Sequence, residues 1–193
     1  MGNDHPANPT RLGRDAFAQI VDRHQHALHT FLRGFIGHDE QARDLVQDTF
    51  HDAWRLTQKG SAPFVSPLDD DGVRRWLFHT AYCHAVSLLR RRHHVRWESL
   101  DAVTELLPAE VDFSFEDRIA ETESLRAAMG QLSTDDVACL LLRVVQGFSA
   151  AEVGSIIGAT TDVVHKRLSR AKQRLRAAYL AQTTPSKEQP AHG

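Results

Sequence analysis

Apolar side chains recur every three or four positions through most of the chain, which is the period of an amphipathic helix. The first apolar stripe covers residues 17–35 and is followed by Gly37, a residue type that commonly ends helices. Two further stripes cover residues 42–54 and 73–88. No segment alternates apolar and polar residues as a half-buried strand does, so the pattern predicts an all-helical protein.

The last third of the chain predicts two short helices joined by a tight turn. Ser149 and Thr160 stand where helix N-caps are expected, and Gly158 stands where the first of these helices should end. In the segment 149–175 the apolar positions would pack the two helices together, and the opposite face of the second helix is polar and basic. That arrangement predicts a helix-turn-helix whose second helix can enter the major groove of DNA.

Two segments interrupt the helical pattern and divide the chain. Residues 59–72 contain two glycines and two prolines and are typical of a loop. Residues 97–118 are acidic and only weakly periodic, as a linker would be. We therefore predict a tail at 1–13, a helical domain at 14–96, a flexible acidic linker at 97–118, a helix-turn-helix domain at 119–182 and a second tail at 183–193.

The charge of the chain is strongly uneven. The 23 lysines and arginines nearly balance the 25 aspartates and glutamates, for a net charge of −2. Residues 98–123, however, hold nine acidic residues and one basic residue, while arginines cluster at 90–96 and basic residues cluster at 166–176. Two basic patches on either side of an acidic segment favour a nucleic-acid partner, which the average charge conceals.

Several classes of protein find no support in the sequence. No apolar segment approaches the ~20 residues that cross a bilayer, so we expect no membrane insertion. The chain opens without the apolar segment of a signal peptide, and its two cysteines, Cys83 and Cys139, form no metal-binding pair, which favours a reducing cytoplasm. His26 and His29 could share a helix face, but no carboxylate pattern accompanies them, and we predict no metal and no cofactor.

Three segments, taken in order, resemble a bacterial extracytoplasmic-function (ECF) sigma factor of the sigma-70 family. They are ARDLVQDTFHDAWR at 42–55, VRRWLFHTAYCHAVSLLRRR at 73–92, and the long segment 132–176 that contains the predicted helix-turn-helix. The resemblance implies a non-enzymatic subunit that binds core RNA polymerase and directs initiation at promoter DNA. It also implies a cytoplasmic protein, monomeric when free and controlled by a separate anti-sigma factor.

The resemblance also implies a role for each of three helices. The helix 42–55 would dock on the clamp helices of the largest polymerase subunit through Asp44, Leu45, Gln47, Asp48 and His51, and the second domain would meet the polymerase flap. The helix 73–92 would melt and hold the minus-ten element through Arg74, Arg75, Trp76, His79, Cys83, Arg90, Arg91 and Arg92. The last helix would read the minus-thirty-five element through Thr161, His165, Lys166, Arg167, Ser169, Arg170 and Arg174.

Two features depart from the family pattern. Cys83 and Ser87 stand where the family usually has an asparagine and an aspartate. Asp69, Asp70 and Asp71 precede the third helix and would repel phosphates. The promoter sequence therefore does not follow from the resemblance.

Two other classes of function remain open on the residues alone. A stand-alone helix-turn-helix regulator would bind specific DNA without polymerase, usually as a dimer. An enzyme would need a convergent cleft with a nucleophile, a base or a phosphate loop, and no such motif is visible in the sequence.

Overall fold

The structure is a computed structural model that describes the backbone of residues 12–60, 70–98 and 128–183. Side chains are described in these ranges as far as residue 91 in the second and residue 177 in the third. The described ranges contain helices and no β-strand, which confirms the predicted fold class. The predicted tails and linker, and most of the predicted loop, lie outside the described residues.

The first half consists of three long helices: α1 (Arg14–Ile36), α2 (Asp39–Gln58) and α3 (Asp70–Glu98). Each buries the apolar stripe expected from the sequence, with Leu28, Leu32 and Leu77 wholly buried between them. Gly37 ends α1 with a φ of 73°, a left-handed conformation that glycine adopts without strain.

The third helix begins earlier than the sequence predicts. Residues 70–72 were expected in the loop, but Asp70 and Asp71 form the first turn of α3. Acidic side chains favour that position because the N-terminal end of a helix carries a partial positive charge. Asp70 and Asp71 therefore help to begin the helix, while Asp69 lies outside the described residues.

The second half contains α4 (Thr134–Leu140), α5 (Ala150–Ile157) and α6 (Thr161–Thr183). A single π-helical turn, Leu141–Val145, follows α4, and the amide of Gln146 donates to the carbonyl oxygen of Leu141 over 3.0 Å. The sequence predicts an uninterrupted helix here, and the wider turn leaves Val144 and Val145 exposed. Such π turns occur frequently at functional sites.

The two halves share one apolar core. Phe78 of α3 and Phe148, which precedes α5, are both wholly buried, and their ring centroids lie 5.0 Å apart. Leu141 also packs close to Gly34 of α1. No helix in the described ranges is both long enough and apolar enough to cross a membrane.

Candidate nucleic-acid and protein interfaces

The helix-turn-helix is built by its caps and by one glycine. The Ser149 side chain accepts from the Glu152 amide while the Glu152 carboxylate accepts from the Ser149 amide, which forms a complete capping box. Gly158 ends α5 with a φ of 72°, and Thr160 Oγ1 accepts from the Val163 amide over 3.4 Å. All three predicted helix boundaries are therefore confirmed.

Gly154 allows the turn between the two helices to pack closely against α5. A Cβ atom at this position would lie 2.5 Å from the carbonyl oxygen of Ala159, which is too close for any larger residue without a backbone shift. The apolar positions predicted to pack the pair are all buried: Val153, Ile156, Val164 and Leu168. Gly154 was not predicted from the sequence, although a glycine inside a helical pattern often indicates such a close contact.

The outer face of α6 carries most of the predicted base-reading residues. Thr161, His165, Lys166, Ser169 and Arg170 are all exposed. In the described structure Arg170 donates to the Lys166 carbonyl oxygen within its own helix, and it has no acidic partner. This face is exposed and basic, and a positively charged face on the second helix of a helix-turn-helix suits contact with DNA.

Two other arginines of α6 are held by acidic residues of α4. Arg167 forms an ion pair with Asp135, and Arg174 lies 3.6 Å from Asp136. The hydrogen bond to Asp135 raises the pKa of the Arg167 guanidinium. Of these two, only Arg174 has a largely exposed side chain, so the geometry favours a role for Arg167 in joining α6 to α4.

The outward face of α2 is acidic and polar. Asp44, Gln47, Asp48 and His51 are exposed, whereas Leu45 is 7% exposed and packs in the core. A shallow cleft of about 300 Å³ lies between this face and α3, lined in part by Asp48, His51 and His84. The lining is mixed in charge, because Arg91 lies beside Asp48 and Asp52, and Asp52 pairs with His84 over 3.2 Å.

The predicted minus-ten residues on α3 do not share one surface. Cys83, Arg90 and Arg91 are exposed, Arg75 and Trp76 are half-buried, and the side chain of Arg92 lies outside the described residues. The half-buried Arg74 and the exposed His79 also contact the second half of the molecule. The Arg74 guanidinium lies 3.9 Å from the Phe148 ring centroid, and His79 Nδ1 donates to the Ile156 carbonyl oxygen over 2.7 Å.

Tyr82 was not identified as a contact residue in the sequence. Its hydroxyl donates to Asp135 over 3.2 Å, so one carboxylate binds both Tyr82 of α3 and Arg167 of α6. Burial, together with the negative charge of Asp135, raises the pKa of Tyr82 to about 12. The phenol therefore remains a hydrogen-bond donor throughout the physiological pH range.

Asp70 was predicted to repel DNA phosphates, but its carboxylate is paired with two side chains of α1. Its carboxylate lies 2.6 Å from Arg23 and 3.2 Å from Nε2 of the buried His24. The hydrogen bond from Arg23 lowers the pKa of Asp70, while burial lowers the pKa of His24. His24 is a packed core residue, as its position in the apolar stripe predicts.

In the described ranges, no three histidine, cysteine or carboxylate side chains are grouped so as to hold a metal ion. His29 lies 3.1 Å from Asp39, so this predicted candidate for a metal ligand has an acidic neighbour on the next helix. Cys139 is wholly buried, and burial raises the pKa of its thiol to about 11. The thiol therefore stays protonated near neutral pH.

Comparisons with known proteins agree with this architecture. The family model for sigma-70 region 4 matches residues 122–175, which include α4, α5 and most of α6. The ECF RNA polymerase sigma factor SigE of Mycolicibacterium smegmatis is 27% identical over 177 residues, covering 90% of this chain and 65% of SigE. The RNA polymerase sigma factor CnrH of Cupriavidus metallidurans is 28% identical over 173 residues, covering 84% of this chain and 85% of CnrH.

Solved structures show the same fold. CnrH in complex with the cytosolic domain of CnrY superposes with a TM-score of 0.62 at 26% identity, covering 91% of this chain and 94% of CnrH. RpoE in complex with the anti-sigma factor NepR from Bartonella quintana gives a TM-score of 0.67 at 24% identity, covering 84% of this chain and 95% of RpoE.

The helical fold, the helix-turn-helix and these similarities support a sigma-70-like factor. The similarity to SigE, a sigma factor of the ECF type, extends through both halves of the chain.

Proposed function

We propose that this chain is a promoter-specificity subunit that binds core RNA polymerase and directs transcription initiation. The observation that carries the proposal is the exposed basic face of α6 on a complete helix-turn-helix, in a chain that resembles ECF sigma factors through both halves. The role is non-catalytic, and it places the protein in the cytoplasm, where polymerase and the chromosome are found.

In this proposal each half binds a different part of the promoter. The exposed residues of α6 read the minus-thirty-five element as duplex, with Arg170 suited to a bidentate guanine contact. On α3 the exposed His79, Arg90 and Arg91, with the half-buried Arg74, contact the minus-ten element. Arginine suits both tasks because its planar guanidinium binds phosphates and stacks on unpaired bases.

The polymerase docks on two surfaces in this proposal. The exposed acidic face of α2 binds the clamp helices through Asp44, Gln47, Asp48 and His51, while Leu45 supports the helix from within. The flap binds near the π turn, where Val144 and Val145 are 62% and 54% exposed. Large exposed apolar side chains mark protein contacts when they lie side by side.

The partners of solved relatives suggest how this protein is controlled. CnrH is seen with the cytosolic domain of CnrY, and RpoE with the anti-sigma factor NepR. We propose that a separate anti-sigma protein likewise binds this chain, which is a monomer when free. A stand-alone regulator is not favoured, because the similarity to sigma factors extends through the three helices of the first half.

Binding to purified core polymerase tests the docking surface. Asp48→Lys reverses an exposed charge on α2, and Asp22→Lys makes the same change at an exposed position of α1. We expect Asp48→Lys to weaken binding, most strongly at low salt, with unchanged helicity, because it opposes the charge complementarity of the two surfaces. Equal binding by both variants and the wild type at low salt would refute the assignment of α2.

A further inference from the structure

One apolar side chain is exposed on the basic face of α6. In the described ranges three large apolar side chains are exposed, namely Val144 and Val145 at the π turn and Val163 in the first turn of α6. Val163 is 37% exposed, whereas the next residue, Val164, is wholly buried. Val163 therefore presents apolar surface to solvent on a helix whose other exposed residues are mostly polar or charged.

The N-terminal cap of α6 fixes the position of Val163. The Val163 amide donates to Thr160 Oγ1 over 3.4 Å, and Val163 is the third residue of the helix. Residues three and seven positions further along a helix share its face, which places Val163 in one row with the exposed Lys166 and Arg170. The first turns of the second helix are also the part of a helix-turn-helix that contacts base edges. Val163 thus lies where DNA would be read.

Valine can contact only one kind of group on the edges of the bases. Its side chain has no donor and no acceptor, so it forms no hydrogen bond with a base or a phosphate. In the major groove the base edges present donors, acceptors and a single apolar group, the C5 methyl of thymine. Contact between this methyl and the Val163 side chain would remove apolar surface of both from water. The position therefore favours thymine over the three bases that lack the methyl.

We infer that Val163 is a specificity-determining residue, which contacts the C5 methyl of one thymine in the duplex element read by α6. This inference rests on the proposed function of α6 and adds an apolar contact to its polar ones. Val163 precedes Arg170 by seven residues, or about 10 Å along the helix axis, a length that spans about three base pairs of duplex. We therefore expect the thymine within about three base pairs of the guanine assigned to Arg170.

Selection of promoters locates the thymine. The full chain with core polymerase transcribes a promoter library randomised through the minus-thirty-five element, and the transcribed promoters are sequenced. We expect the wild type to select thymine at one position near the guanine. Val163→Ala should lose the preference at that position alone, while Val163→Ile, which keeps a branched apolar side chain, should retain it.

Removal of the methyl group from the DNA tests the contact itself. Uracil has the hydrogen-bonding groups of thymine and lacks only the methyl. With uracil at the selected position, we expect wild-type holoenzyme to bind the duplex promoter about fourfold more weakly, the effect of one buried methyl group, and Val163→Ala holoenzyme to show no change. Exchange of thymine for uracil at a position without base preference is the control, and it should affect neither protein.

Urea denaturation of the free chain separates base reading from a role in packing. Val163→Ala should keep a midpoint near that of the wild type, because the side chain is exposed and alanine has the higher helix propensity. Val164→Ala, at the buried neighbouring position, should lower the midpoint because it leaves a cavity. Equal losses in the two variants would make Val163 a packing residue and overturn the inference.

Three results with DNA would also overturn it. They are a selected element without a thymine preference, an equal effect of uracil on wild type and Val163→Ala, and a loss of transcription by Val163→Ala on all promoters alike, which would indicate a protein contact. If wild-type protein selects no shared element at all, the proposed function fails and the inference fails with it. A selected element in which Val163→Ala changes nothing rejects the inference alone.

Discussion

At the scale of single residues, burial decides which charged groups are available for binding. His24 is 4% exposed and has its hydrogen bond to Asp70 inside the first half, while His165 has the same side chain on the open face of α6. The sequence predicted both environments, because His24 lies on an apolar stripe and His165 opposite one. It did not predict the pairing of Arg167 with Asp135, since ion pairs between distant helices leave no periodic signal.

The pH dependence of stability tests the environment of His24. Burial lowers its pKa in the folded state below the ordinary value of 6.5, against the opposing effect of Asp70. The unfolded chain therefore binds a proton at this position more readily, and stability should fall as the pH decreases from about 6.5 toward the folded pKa. The Asp70 contribution is separate, because its lowered pKa keeps it charged until the pH falls below its ordinary 3.8.

Urea denaturation of His24→Gln between pH 5 and pH 8 measures this effect. We expect the slope of unfolding free energy against pH to be shallower than in wild type. His26→Gln, at an exposed position of the same helix, should retain the wild-type slope. Parallel profiles for wild type and His24→Gln would show that His24 does not titrate as its burial implies.

Base reading by α6 is tested by comparing Arg170→Ala with Lys172→Ala, both at exposed positions. Loss of a base-reading arginine should cost about 1–3 kcal/mol and relax the preference at one position. Loss of a phosphate contact should weaken all promoters alike and reduce the salt slope by about one unit. The measurement is transcription from promoters randomised through the minus-thirty-five element. Identical base preferences in the two variants would exclude Arg170 as a reader.

At the scale of helices, the sequence predicted most of what the structure shows. Apolar stripes, caps and terminal glycines located α1, α2 and the α5–α6 pair because these signals are local. The start of α3 at Asp70 was missed, since acidic residues occur equally in loops and in first helical turns. The π turn at 141–145 was missed because its residues continue an ordinary apolar helical pattern.

The capping box of α5 should contribute measurably to stability. Ser149→Ala removes the side chain that accepts from the Glu152 amide, and such losses cost about 0.5–2 kcal/mol. Ser155→Ala, on the exposed face of the same helix, replaces a serine with a better helix former and should be neutral or slightly stabilising. Urea denaturation at pH 7 provides the comparison. A Ser149→Ala variant as stable as Ser155→Ala would mean that the box is not formed in solution.

At the scale of the whole molecule, the sequence predicted two helical groups but not their contact. Phe148 was not assigned to either core, and Arg74 was assigned to DNA because arginines near aromatic residues are typical of nucleic-acid binding. The surface that such a side chain contacts depends on how distant segments pack together. Local sequence patterns carry no information about that packing. The Phe78–Phe148 contact and the contacts of Arg74, His79 and Tyr82 with the second half therefore required the structure.

Run-off transcription with purified core polymerase on a genomic DNA library is the most direct test of the central claim. Core polymerase alone should initiate without preference, and addition of the full chain should yield discrete transcripts whose upstream regions share two spaced elements. We also expect the chain alone to bind these promoters poorly. Tight, sequence-specific binding by the chain without polymerase, together with no new transcripts in its presence, would contradict the account and identify a stand-alone regulator.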